Sequence, residues 1–152
     1  MKICTKPYGE IEVSEKQRVR FPEGIIGFKD IHDYFLLDSR EGPFYWLQAQ
    51  KDPDLAFLLI DPRLFMPDYR LEVSESDLKS IGIKTEDDIL DFAVVTVPDD
   101  HAKISANLMG PIVINRKNHT AKQVISTNDD YTVKHYIMEE MRKKSTDLVE
   151  TR

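Results

Sequence analysis

Apolar and polar positions along the chain change in short beats. Glu10-Ile11-Glu12-Val13 alternates, and Gln17 to Phe21 alternates again with Val19 and Phe21 on one face. Apolar runs then occupy Asp33 to Asp38, Phe44 to Gln50 and Leu55 to Ile60, separated by Arg40-Glu41-Gly42-Pro43 and by Asp52-Pro53-Asp54. Runs this short, closed by Pro, Gly and Asp, predict buried strands rather than helices. Ile89 to Val97 predicts another strand, ending at Pro98, and Lys103 to Leu108, Ile112 to Asn115 and Ala121 to Thr127 predict three more. Asn118-His119 suits a tight turn between the last two, and Tyr131, Val133 and His135 alternate as a final strand. The clearest helix is Ser74 to Ile81, with Ser74 as N-cap, Glu75 and Asp77 in the first turn and Gly82 as the stop. With about eight to ten short strands and one or two short helices, the pattern predicts an all-β, mainly antiparallel fold. The expected architecture is a small closed or partly open β-barrel-like domain over residues 1–137, filled by residues such as Trp46, Phe57 and Phe92. Residues 138–152 read as a polar C-terminal tail, helical or disordered.

Composition narrows the function classes. A chain of 152 residues buries about 70% of its unfolded surface, enough for one core. It carries 21 Lys and Arg against 27 Asp and Glu, a formal net charge of -6. A nucleic-acid binder presents a basic stripe to phosphates. Here the longest basic run is Arg142-Lys143-Lys144, read as a solvated helix end. The acidic balance suits a basic protein partner and argues against direct nucleic-acid binding. A membrane span needs about 20 consecutive apolar residues, and the sequence has no such run. The single Cys, Cys4, excludes an intrachain disulfide and is expected to be a buried structural thiol. A free thiol and no apolar leader in MKICTKPYGE point to the cytoplasm.

No catalytic constellation emerges from the spacing. His32, His101, His119 and His135 lie far apart, without the local half-site that zinc coordination uses, and read as satisfied surface histidines. Neither a dinucleotide-binding glycine pattern nor a P-loop occurs, and the acidic clusters do not match a calcium loop. No metal, cofactor or catalytic residue is therefore assigned. Glu86-Asp87-Asp88 and Asp99-Asp100 flank the Ile89–Val97 strand. They are solvated loop ends or an electronegative surface that steers a basic partner. A hydrolase using paired carboxylates and a small-ligand barrel are the alternative classes. The first needs a pocket holding carboxylates of unlike pKa, and the second an interior cavity of roughly 300 Å³ or more.

Two segments are more specific than ordinary turns. In Phe21-Pro22-Glu23-Gly24-Ile25-Ile26-Gly27-Phe28, Gly24 and Gly27 permit positive φ or close backbone approach around an apolar pair. Such a loop either packs on its own barrel or offers an apolar patch to a partner. In Ser105 to Asn115, Asn107 and Asn115 bracket a strand–turn–strand through Gly110-Pro111, followed by Gln123-Val124-Ile125.

With Trp46-Leu47-Gln48, Leu55-Ala56-Phe57, Pro67-Asp68-Tyr69 and the Leu78 to Gly82 stretch, these segments resemble the flagellar assembly factor FliW family over about residues 3 to 137. One departure is Gly110, where the family pattern usually has Ala before the Pro. The resemblance implies a non-catalytic cytoplasmic protein that binds flagellin and the translational regulator CsrA. Free of flagellin, it takes CsrA off flagellin mRNA. An RNA-binding regulator is basic, so Glu86, Asp87, Asp88, Asp99 and Asp100 are its candidate contacts. Flagellin termini, as amphipathic helices, suit apolar capture, with Ile25, Ile26, Phe28, Met109 and Ile112 as candidates. Gly24, Gly27, Asn107, Pro111 and Asn115 are the structural motif residues. The sequence leaves the oligomeric state open.

Overall fold

In each central strand alternate side chains point to opposite sides, and here both sides are apolar. Inward go Tyr34 and Leu36 of β4 (Asp33–Asp38), Tyr45, Leu47 and Ala49 of β5 (Tyr45–Ala49), and Phe57 and Leu59 of β6 (Ala56–Ile60). Phe92 and Val94 of β7 (Ile89–Thr96) and Ile112 and Ile114 of β8 (Ser105–Asn115) join them. The alternate residues point outward and are covered too, which is why these strands read as near-continuous apolar runs. The computed structural model describes residues 1–150, with side chains to Lys143.

The strands form an antiparallel meander in the order β3 (Arg18–Arg20), β4, β5, β6, β7, β8. Two short strands then pair with different halves of β8. β9 (Ala121–Gln123) lies along Ile112–Ile114, and β10 (His135–Tyr136) lies along Ser105–Ala106. β9 comes round to β3, where Arg20 and Thr120 form a parallel bridge and the Arg20 amide donates to the His119 carbonyl at 3.0 Å. That isolated bridge is the seam of a nearly closed barrel.

Three accessory layers clad the outside. The hairpin of β1 (Lys2–Thr5) and β2 (Gly9–Glu12) sets Ile3 and Val13 on Phe35 and Leu37. Residues 61–69 lay Phe65 and Tyr69 on Ile60, Ala93, Val95 and Leu108, joined there by Ile137 at the start of α2 (Ile137–Glu150). Helix α1 (Glu75–Ser80), capped by the Ser74 hydroxyl accepting from the Asp77 amide, belongs to a third cluster with Ile81, Ile83, Val113 and Val124. Gln48, fully buried on the outer face, holds the first layer down. Its Oε1 accepts from the Lys6 amide at 2.9 Å, and its Nε2 protons are shared among the carbonyls of Ala49, Asp52, Pro53 and Leu55.

Several expectations are corrected. Cys4 is exposed, because strand alternation turns Ile3 and Thr5 inward instead. Trp46 packs under the N-terminal hairpin on the outer face, not in the barrel, because Tyr45 and Leu47 take the inward positions. Residues 105–115 are one strand rather than strand–turn–strand. Its register against β7 jumps from Phe92↔Ile112 to Val94↔Asn107, so the extra residues bulge out. The strand predicted to Thr127 stops at Gln123, and the one predicted from Tyr131 is only His135–Tyr136.

Candidate functional site

The Phe21–Phe28 loop and the β8 bulge meet at the seam. In the loop, Gly24 has φ +69°, and a Cβ there would stand 2.6 Å from backbone atoms of Phe28 and Lys29, so only glycine fits. Gly27 has φ +91° but open space around it, so its requirement is conformational alone. The Phe28 amide donates to the Ile25 carbonyl at 2.7 Å, closing a tight turn that points its two isoleucines apart. Ile25 is 2% exposed in the barrel core, and Ile26 is 61% exposed. The bulge is shaped by Asn107, whose Oδ1 accepts from the amides of Met109 (3.0 Å) and Gly110 (2.9 Å). The Thr132 carbonyl also accepts from the Leu108 and Met109 amides, and the Pro111 carbonyl accepts from the Val124 amide. Met109 is thereby lifted into solvent, 42% exposed.

Between these lips lies an apolar groove of about 300 Å³. Its floor is Ile25, Phe57 and Val94, and Ile26, Met109, Ile125 and Val133 stand around it. Phe28 is exposed beside it with its ring edge-on to Phe57 at 5.6 Å. Beneath the floor, Phe57 faces the buried Tyr34, whose hydroxyl burial pushes up to about 12.

The structure sorts the apolar candidates by burial. Ile26, Phe28 and Met109 are on the surface, while Ile25 and Ile112 are core. Ile112 is fully buried because it occupies an inward position of β8, so it is withdrawn as a direct contact. Ile25 offers only floor. Ile125 and Val133 were missed. Both are exposed apolar residues in short polar surroundings, and only the pairing of 124 with Pro111 and of 132 with 108–109 brings them to the groove. Asn115, expected as a corner residue, ties the β8–β9 turn to α1. Its Nδ2 donates to the Ile81 carbonyl at 2.9 Å, and its Oδ1 accepts from the Lys117 amide.

The acidic candidates do not form one patch. Glu86-Asp87 precedes β7 and Asp99-Asp100 follows it. Eight strand residues at about 3.3 Å each separate them by roughly 25 Å. Asp88 leaves the surface set altogether, being 3% exposed. Its Oδ2 accepts from the Lys84 and Thr85 amides, and Lys117 Nζ lies 3.1 Å from Oδ1. Those amide bonds, with Lys117, hold its carboxyl below the usual range. Asp100 caps a 3₁₀ turn by accepting from the Ala102 amide.

Glu86 borders a second, larger groove of about 980 Å³. β6 runs from one groove to the other, with Phe57 lining the first and Asp61, just past the strand, lining the second. This second groove is charged in both senses. Arg63 makes a two-pronged pair with Asp91, each contact 3.2 Å, and also meets Asp61. Arg70, Arg116 and Glu72 share the lining.

No catalytic arrangement is assembled from these residues. Among the described residues, no three His, Cys, Asp or Glu side chains converge as a metal-ligand set. His32 Nδ1 donates to the Phe21 carbonyl, and His135 Nε2 accepts from the Thr132 amide, so both have structural partners. No helix among the described residues is long and apolar enough to cross a membrane.

Comparison with known proteins places this geometry. The FliW protein family model matches residues 2–137. The chain is 43% identical over 144 residues to the flagellar assembly factor FliW of Thermoanaerobacter pseudethanolicus, covering 93% of this chain and 96% of that one. It is 41% identical over 149 residues to the FliW of Leptospira biflexa serovar Patoc, covering 97% of each. A crystal structure of the flagellar assembly factor FliW superposes with a TM-score of 0.84 at 40% identity, over 90% of this chain and 96% of the other.

Proposed function

Because the chain belongs to the FliW family of flagellar assembly factors, we propose that it is a cytoplasmic, non-catalytic binding protein with two clients, flagellin and the translational regulator CsrA. Occupied by flagellin, it leaves CsrA on flagellin mRNA. When flagellin is exported, the freed protein takes CsrA off the message and synthesis resumes. The observation that carries the flagellin half is the groove at the seam, where exposed Ile26 and Met109 border an apolar floor. Apolar side chains spaced along one face of an amphipathic helix are natural occupants of such a floor. The regulator half rests on the overall charge of -6 and on exposed Glu86 and Asp87, which attract a basic RNA-binding surface. Asp99 and Asp100 are a second, separate acidic site for the same kind of contact.

Mixing tests the reading directly. Purified protein is combined with flagellin, with CsrA and with both, and the complexes are weighed by light scattering. Two binary complexes are expected, with flagellin displacing CsrA. Reversing Glu86 and Asp87 to Lys is expected to slow CsrA association, steepest at low salt, and to spare flagellin. Failure to bind either client at micromolar concentration, or turnover of a substrate, ends the proposal.

A further inference from the structure

The two lips of the apolar groove come from sequence regions far apart, and one side chain spans them. Gln123, the last residue of β9, accepts from the Ile26 amide through Oε1 at 3.1 Å. Its Nε2 donates to the Gly110 carbonyl at 2.9 Å. A carboxamide is the one neutral side-chain group of this length that accepts at one end and donates at the other. Glycine at 110 leaves room for it, since a Cβ there would lie 3.0 Å from Gln123 Nε2. The seam beside it is an isolated bridge, Arg20 to Thr120, rather than a ladder, so side chains must do what a strand ladder does elsewhere. Lys122, next along β9, reaches Glu23 at 3.1 Å and Asp77 at 2.8 Å and anchors the base of the same loop to α1.

We infer that the Gln123 carboxamide is a positioning group that fixes the spacing of the Ile26 and Met109 lips, and with it the fit of the groove to an amphipathic helix. The inference rests on reading the groove as the flagellin site. Both polar ends of Gln123 are engaged by the chain's own backbone. It holds two backbone segments at a fixed separation, so that the apolar side chains they carry border one groove.

The test pairs two near-isosteric variants with fluorescein-labelled purified flagellin. Gln123→Met removes both hydrogen bonds and is expected to weaken flagellin binding about tenfold, the upper range for lost neutral hydrogen bonds. Amide exchange at Ile26 should accelerate together with it. Gln123→Glu keeps the acceptor for Ile26 but turns an oxygen toward the Gly110 carbonyl. It is expected to keep Ile26 protected while losing about threefold in affinity. This split is not produced by a general loss of stability, which would expose both sites together. The Glu variant alone carries the test if the Met variant does not fold. Wild-type affinity in both folded variants, or unchanged Ile26 exchange in Gln123→Met, overturns the inference. A wild-type chain that ignores flagellin overturns the reading of the groove instead, and the exchange experiment still decides the clamp.

Discussion

The two ends of the barrel are built from the same strands but solve different problems. At the seam end, backbone groups are satisfied by side-chain amides, Asn107 and Gln123, and the exposed surface left over is apolar. At the other end, Arg63 is locked between Asp61 and Asp91, and the surface left over is charged in both senses. An apolar groove gains from burying any matching helix face, whereas a mixed-charge groove gains only where the partner's charges register with its own. The first is therefore suited to affinity and the second to selecting among partners.

The sharpest break in that comparison lies within the apolar end itself. Ile112→Ala removes a fully buried side chain and is expected to cost about 3–4 kcal/mol in urea unfolding. Ile26→Asp, on the exposed lip, should leave the urea midpoint nearly unchanged and lower flagellin affinity about 100-fold, or about 3 kcal/mol, by calorimetry. Equal effects of the two on stability would erase the distinction between floor and lip. At the charged end, Arg63→Gln leaves the nearly buried Asp91 without its fork. A loss of about 1–2 kcal/mol is expected, discounted because Arg63 is partly exposed, with flagellin binding intact.

The smallest effect is electrostatic. Lys122 donates to Asp77 and holds its carboxyl below the ordinary value, while Asp77 raises Lys122. The Asp77 share of stability is present above the unfolded carboxylate value of about 4 and is lost as pH falls through the lower folded value. The Lys122 share is present below about 10.4 and is lost as pH rises through the higher folded value. Lys122→Met should therefore cost less than about 1 kcal/mol between about pH 5 and 9, and its difference from wild type should vanish in acid. Thermal melts across pH check this.

The sequence showed most plainly what the barrel buries twice. Strands β4 to β7 are legible because inward and outward faces are both covered, leaving apolar runs between Pro and Asp. Strand β1 went unread, and β9 and β10, with three and two residues, are shorter than the runs that predicted them, because each extends only as far as its partner strand allows. Apolar character found the groove but did not separate Ile26 from Ile25, since that depends on the turn that Gly24 makes possible. Closeness along the chain misled for the acids. Asp88 turns back to cap its own backbone, and β7 holds the other pairs apart. Ile125 and Val133 were illegible as site residues because neither lies in a strand, and their place is set by hydrogen bonds to the bulge.

The bridge between Arg20 and Thr120 also orders events in time. The meander from β4 to β8 assembles from pairings between sequence neighbours, the longest connection being residues 61–88 between β6 and β7. The contact joining positions 20 and 120 cannot form until β9 has left the ribosome, and its loop is the costliest to close. Both lips of the groove straddle that late contact. A client that needs both lips thus meets only finished molecules, and nascent chains cannot titrate it away.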